Sequence, residues 1–183
     1  MRSSGINAEP RLKFERLLDA EKIERRVTEL GLQIARDYKG KAPLLLGVLK
    51  GCIVFMADLM RHIDLPLEVE FISAESYRHG SKQDAEITVN RNSQLSLKGR
   101  DVLIVEGIVD SGRTASAILE NVRAEEPASV EVVTLIDKPA SRRMEVRPRY
   151  IGFKIGNDFV IGYGLDNTQK FRNLPYIGRI ADQ

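Results

Sequence analysis

The chain has 183 residues, of which 43% are hydrophobic and 30% charged; that excludes a disordered or fibrous protein and bounds it to a single domain, 1–183, with an apolar core. A formal net charge of +2 supplies no broad basic field, so no nucleic-acid partner is expected. Residues 1–19 lack an apolar signal segment, and the longest apolar stretch, Pro43–Met60, is interrupted by Lys50, Gly51 and Asp58, so no membrane partner is expected either.

Residues 1–18 are mixed in character and expected to be only partly ordered. Ile23, Val27, Leu30, Leu32, Ile34 and Ala35 recur among charges and predict an amphipathic helix over 20–38, stopping near Gly40. Pro43–Leu49 is an apolar run of strand length, closed by Lys50-Gly51, and Cys52–Ile63 has helical spacing. Cys52 is the single cysteine; it cannot form an internal disulfide, which fits a reducing cytoplasm, and its small apolar neighbours favour packing over nucleophilic use. His62 and His79 have no second ligand at metal spacing, so zinc is not expected.

Leu67–Ala74 reads as a second strand, and the polar stretch Ser76–Gln94 as a long loop of the kind that serves as a lid. A third strand over Asp101–Glu106 precedes a helix over Thr114–Ala124, and Ser129–Ile136, rich in Val and Thr, is a strand again. Arg142, Arg143, Arg147 and Arg149 form a basic cluster, read as a solvated edge or a subunit contact. Ile151–Ile155 and Phe159–Tyr163 read as short strands bracketing a Gly156-Asn157-Asp158 turn. This alternation predicts an α/β fold with a mostly parallel sheet covered on both faces. Ligands of such sheets bind at the carboxyl ends of the strands, where Lys50-Gly51, Glu106–Thr114 and Lys138 are expected to converge.

The segment Asp110-Ser111-Gly112-Arg113-Thr114 joins the third strand to its helix. It offers backbone N–H groups at a helix N-terminus, two hydroxyls and a carboxylate, which suits a phosphate monoester. A plain helix cap by Asp110 or Ser111 is the alternative. A Walker A loop is excluded, because its Gly-Lys pair is absent.

A hydrophobic strand, an acid, two β-branched residues and Asp-Ser-Gly-X-Thr resemble the signature of type I phosphoribosyltransferases. Val48-Leu49-Lys50-Gly51, Ser76-Tyr77, Leu135-Ile136-Asp137-Lys138-Pro139, Gly152-Phe153-Lys154-Ile155, Phe159–Asp166 and Phe171-Arg172-Asn173-Leu174 extend the resemblance over nearly the whole chain, toward the hypoxanthine-guanine branch. The resemblance implies the type I phosphoribosyltransferase fold: a twisted, mostly parallel sheet with flanking helices, a small hood from the termini, and a flexible lid near 76–94. It implies Mg²⁺-dependent transfer of the phosphoribosyl group of PRPP to N9 of a 6-oxopurine, with IMP or GMP and pyrophosphate as products, in a homodimer or homotetramer.

Residue by residue, the resemblance implies that Asp110, Ser111, Gly112, Arg113 and Thr114 hold the 5′-phosphate, with Asp110 also the general base at purine N7. Lys50, Gly51 and Arg172 would bind pyrophosphate, with a non-proline cis peptide at Leu49–Lys50. Lys138 would donate to purine O6, Phe159 would stack on the base, the Val160 backbone would read its edge, and Asp166 would lie beside it. Ser76 and Tyr77 would open the lid. Asp166 and Glu106 would serve the metal, Glu106 and position 107 the ribose.

Two departures stand out. The family has a second acid where this chain has Gly107; losing one charged hydrogen bond, about 1.5–3 kcal/mol, would weaken ribose binding unless something replaces it, and restoring the acid should then improve use of PRPP. Asn167 and Gln169 stand where the family has an aromatic and an acid. Gly107 keeps open a rival reading, a PRPP- or nucleotide-binding regulator of the same fold with weak or no catalysis.

Overall fold

The computed structural model describes residues 14–77, 86–91 and 95–180. In chain order these form β1 (Phe14–Leu18), α1 (Ala20–Asp37), β2 (Leu44–Leu49), α2 (Ile53–Arg61), β3 (Glu68–Tyr77), β4 (Glu86–Asn90), β5 (Asp101–Val109), α3 (Arg113–Arg123), β6 (Ser129–Asp137), β7 (Tyr150–Lys154), β8 (Val160–Ile161) and β9 (Ile177–Ile180).

The main sheet has the order β4-β3-β2-β5-β6-β7. All neighbours pair in parallel except the edge strand β4, which runs antiparallel to β3. The continuous apolar runs are explained by burial on both faces. One face, with Leu45, Leu103, Val105, Val133 and Leu135, packs under α1 and α2. The other, with Leu44, Leu46, Val102, Ile104 and Val132, packs under α3. The Asp19 side chain accepts the Lys22 N–H at 2.7 Å and caps α1. Arg26 then ties that helix to β7 through the Gly152 and Ile151 carbonyls, at 3.0 and 2.8 Å.

Three sequence readings change. Residues 14–18, expected to be partly ordered, form a strand, because β9 offers an antiparallel partner. The strand expected over Phe159–Tyr163 shrinks to Val160–Ile161 and joins β9 in a separate sheet of order β1-β9-β8. It stops there because Gly162, Tyr163 and Gly164 turn to positive φ, at 94°, 49° and 97°. The polar stretch from Ser76 is not all loop: β3 runs to Tyr77 and pairs with β4, Ala74 opposite Val89. The remaining residues of the expected lid, 78–85 and 92–94, lie outside the described residues. No helix among the described residues is long and apolar enough to cross a membrane.

β5 is the middle of this frame, held by β2 and β6 and covered on both faces. Its Leu103 is fully buried. Leu103→Ala is expected to lower unfolding stability by about 2–5 kcal/mol, read by urea titration; a loss below about 1 kcal/mol would place the core elsewhere.

Candidate active site

The register of the parallel strands brings three chain segments to one edge. β2 and β5 are aligned through Gly47 and Val105, and β5 and β6 through Val109 and Asp137. Pairing with β6 carries β5 past Glu106, where the sequence suggested an end, as far as Val109. The chain then turns at Gly112, whose φ of 82° makes it the N-cap of α3 with no side-chain cap. The Ser111 Oγ accepts the Arg113 N–H at the start of α3 at 3.5 Å, and Thr114 follows in the first turn, which leaves a helix N-terminus flanked by two hydroxyl residues. The Ser111 carbonyl accepts the N–H groups of Arg143 and Met144 at 2.8 and 3.1 Å, so the segment after β6 fastens this loop.

Lys138 follows β6. Its backbone N–H donates to the Val109 carbonyl at 3.0 Å, and its ammonium stands 3.3 Å from an Asp110 carboxylate oxygen. The Lys138 side chain is 5% exposed and that of Asp110 51%. A buried ammonium requires a partner, and Asp110 supplies it while keeping one side open. Next to Lys138, Asp137 is buried and ion-paired with Arg142, whose other Nη donates to the Val146 carbonyl at 2.8 Å. Of the basic cluster expected from the sequence, Arg143, Arg147 and Arg149 are exposed, as on a solvated edge, and Arg142 is partly buried. Arg142 is an internal strut, Arg147 pairs with Glu145 at 2.8 Å, and Arg149 reaches Asp37 and Glu131 at 3.2 and 3.4 Å. Asp110, Ser111, Ser141, Arg142, Arg143 and Asn157 line an open cleft of about 590 Å³.

Glu106 is buried at 7% exposure, and burial pushes its carboxyl up to about 8. Burial, and then the charge of Glu106, push the Cys52 thiol up to about 12, which agrees with a packing role. The peptide Leu49–Lys50 is cis, as the resemblance implied, and Lys50 is exposed. A Cβ added at Gly107 would stand 2.6 Å from the Gly51 carbonyl oxygen. An acid at 107 therefore has no room with the loop where it is.

Phe159 is 55% exposed, so it is not a core residue, while Val160 beside it is buried. Asp166 accepts the Gln169 N–H at 2.8 Å and pairs with Arg172 at 2.7 Å, and Arg172 also donates to the Gly164 carbonyl at 2.7 Å. Ser76 and Tyr77 end β3, with Ile87 and Glu86 opposite. Among the described residues no three His, Cys, Asp or Glu side chains cluster as metal ligands. Asp166 fits Mg²⁺ in the way of sites that use one protein carboxylate and take their remaining oxygens from phosphates and water. The contacts of Arg142, and the closeness of Gly164 to Gly51, were not visible in the sequence.

Glu106 also gives a sign to pH dependence. Its carboxyl is raised in the folded chain from an ordinary 4.5 to about 8. The folded state holds a proton that the unfolded state gives up, so its contribution is intact below about 4.5 and is lost as pH rises through about 8. Glu106→Gln should therefore melt higher than the parent at pH 8.5, with the gap closing by pH 5, in thermal melts; a gap independent of pH would contradict the buried-acid assignment.

The phosphoribosyl transferase domain family matches residues 13–168. The hypoxanthine-guanine phosphoribosyltransferase of Bacillus subtilis is 42% identical over 162 residues, 88% of this chain and 90% of the relative. The bifunctional protein TilS/HprT of Listeria monocytogenes is also 42% identical over 162 residues, and there the match spans only 25% of the relative's length. Among solved structures, a hypoxanthine phosphoribosyltransferase from Staphylococcus aureus superposes with a TM-score of 0.86 at 40% identity, covering 91% of both chains.

Proposed function

The chain belongs to the phosphoribosyl transferase domain family, and from that premise we propose that it transfers the phosphoribosyl group of PRPP to N9 of hypoxanthine or guanine. The products would be IMP or GMP and pyrophosphate, and the role purine salvage in the cytoplasm. The observation that carries this reading is the 3.3 Å contact between Asp110 and the buried Lys138, one residue before the helix-end cradle.

In this reading the 5′-phosphate lies on the first-turn N–H groups of α3 and the Ser111 and Thr114 hydroxyls. The base stands against Lys138 and the exposed face of Phe159, with its edge along the Val160 backbone. As the N9–C1′ bond forms and the bond from C1′ to pyrophosphate breaks, the purine must lose a proton. Asp110 takes it at N7, and Lys138 balances the charge that spreads onto O6. An adenine amino group would face the Lys138 ammonium donor to donor, which is the basis for excluding it. Glu106 faces the ribose hydroxyls as a neutral acid able to donate and accept. Arg172 and the Lys50-Gly51 loop receive pyrophosphate, and Asp166 would hold Mg²⁺, which would supply charge neutralisation for the departing group. A homodimer or homotetramer is part of the same reading.

The Asp110–Lys138 contact favours an enzyme over a nucleotide-binding regulator. A binding module needs the cradle, but not a carboxylate held against a buried ammonium.

Nucleotide formation from hypoxanthine, guanine, xanthine and adenine, each with PRPP and Mg²⁺, tests the proposal. The 6-oxopurines should react and adenine should not; reaction with adenine alone would refute the Lys138 assignment. Asp110→Asn should lower kcat by about 10²- to 10⁴-fold. Lys138→Met should lower kcat/KM for hypoxanthine by roughly 10- to 150-fold, the equivalent of one charged hydrogen bond, while leaving the KM for PRPP nearly unchanged.

A further inference from the structure

Position 107 looks at first like an absence, a ribose-binding acid replaced by glycine. The packing around it points elsewhere. A Cβ at Gly107 would meet the Gly51 carbonyl oxygen at 2.6 Å, its carbon at 2.9 Å and Leu165 Cδ2 at 3.1 Å. The first two are backbone atoms and cannot rotate away. A Cβ at Gly164, which has a φ of +97°, would likewise stand 2.5 Å from the same oxygen. The Gly51 carbonyl thus sits in a slot walled by two glycines from two different segments.

Each segment at this junction carries part of the proposed site. Gly51 follows Lys50 in the loop after β2. Gly107 follows Glu106 on β5, three residues before Asp110. The Gly164 carbonyl accepts from Arg172, which in turn pairs with Asp166. A shift of the loop at Gly51 would therefore be felt at both other arms.

We propose that Gly107 is a positioning residue: lacking a Cβ, it lets the Gly51 carbonyl seat against β5 and Gly164, and so fixes where the Lys50-Gly51 loop meets the pyrophosphate group of the substrate. This rests on the phosphoribosyltransferase reading above. It reverses the expectation that an acid restored at 107 would improve use of PRPP. The side chain would have to displace the loop before its carboxylate could reach a ribose hydroxyl.

Gly107→Ala separates the two views, because it adds a Cβ and no charge. Gly107→Ala and Gly107→Asp should both raise the KM for PRPP and the inhibition constant of Mg-pyrophosphate by about 10- to 100-fold, the scale of a 1 Å misplacement. The Kd for IMP, which does not use this loop, should change less than about threefold, a difference general destabilisation would not produce. An unchanged KM in Gly107→Ala, or a lowered one in Gly107→Asp, would overturn the proposal. A second measurement needs no variant. In the unaltered chain, Mg-pyrophosphate should slow amide exchange at Gly51, Gly107 and Gly164 together, and slowing at Gly51 alone would also overturn it. If the unaltered chain turns over PRPP but Gly107→Ala keeps its KM, the function stands and only this inference falls. If the unaltered chain binds neither PRPP nor pyrophosphate, both fall.

Discussion

The parallel pairing of β5, with β2 on one side and β6 on the other, determines where every proposed ligand contact can lie. Parallel strands end on the same edge, so Lys50-Gly51, Asp110–Thr114 and Lys138 become neighbours although they are far apart in the chain. The apolar cover on both faces holds β5 in place, because its side chains pack against α1 and α2 on one face and against α3 on the other. The edge is then trimmed by local contacts. Lys138 N–H to the Val109 carbonyl joins two strand ends, and the Arg143 and Met144 N–H groups on the Ser111 carbonyl fasten the cradle.

Electrostatics at this edge follow from burial more than from the count of charges. Lys138 is buried with its charge balanced by a half-exposed Asp110. Glu106 is held toward its neutral form, and Gly107 adds no second acid next to it. The cradle at the α3 N-terminus is therefore flanked by little negative charge except Asp110. Glycine at 107 places no Cβ against the Gly51 carbonyl.

Much of this was legible in the sequence because the signals are local. Leu44–Leu49 and Val102–Val105 announce buried parallel strands by composition alone, and Asp110–Thr114 announces an anion cradle by residue type. What was not legible depends on partners distant in the chain. Phe14–Leu18 has no strand pattern of its own and becomes one only against Ile177–Ile180. Phe159–Tyr163 has strand composition, but Gly162–Gly164 turn the chain out of it. The seat of the Gly51 carbonyl joins residues 51, 107 and 164, and no spacing rule connects them. Arg142 reads as surface charge, yet it braces Asp137, while Arg143 is exposed as read and holds Ser111 through its backbone N–H alone.

A crystal structure of the chain with IMP bound tests the assembly most directly. The phosphate is expected on the first-turn N–H groups of α3, the base between Lys138 and Phe159 with O6 toward the ammonium, and N7 facing Asp110. A nucleotide bound away from the α3 N-terminus, or a base turned so that O6 points away from Lys138, would contradict the site described for this chain.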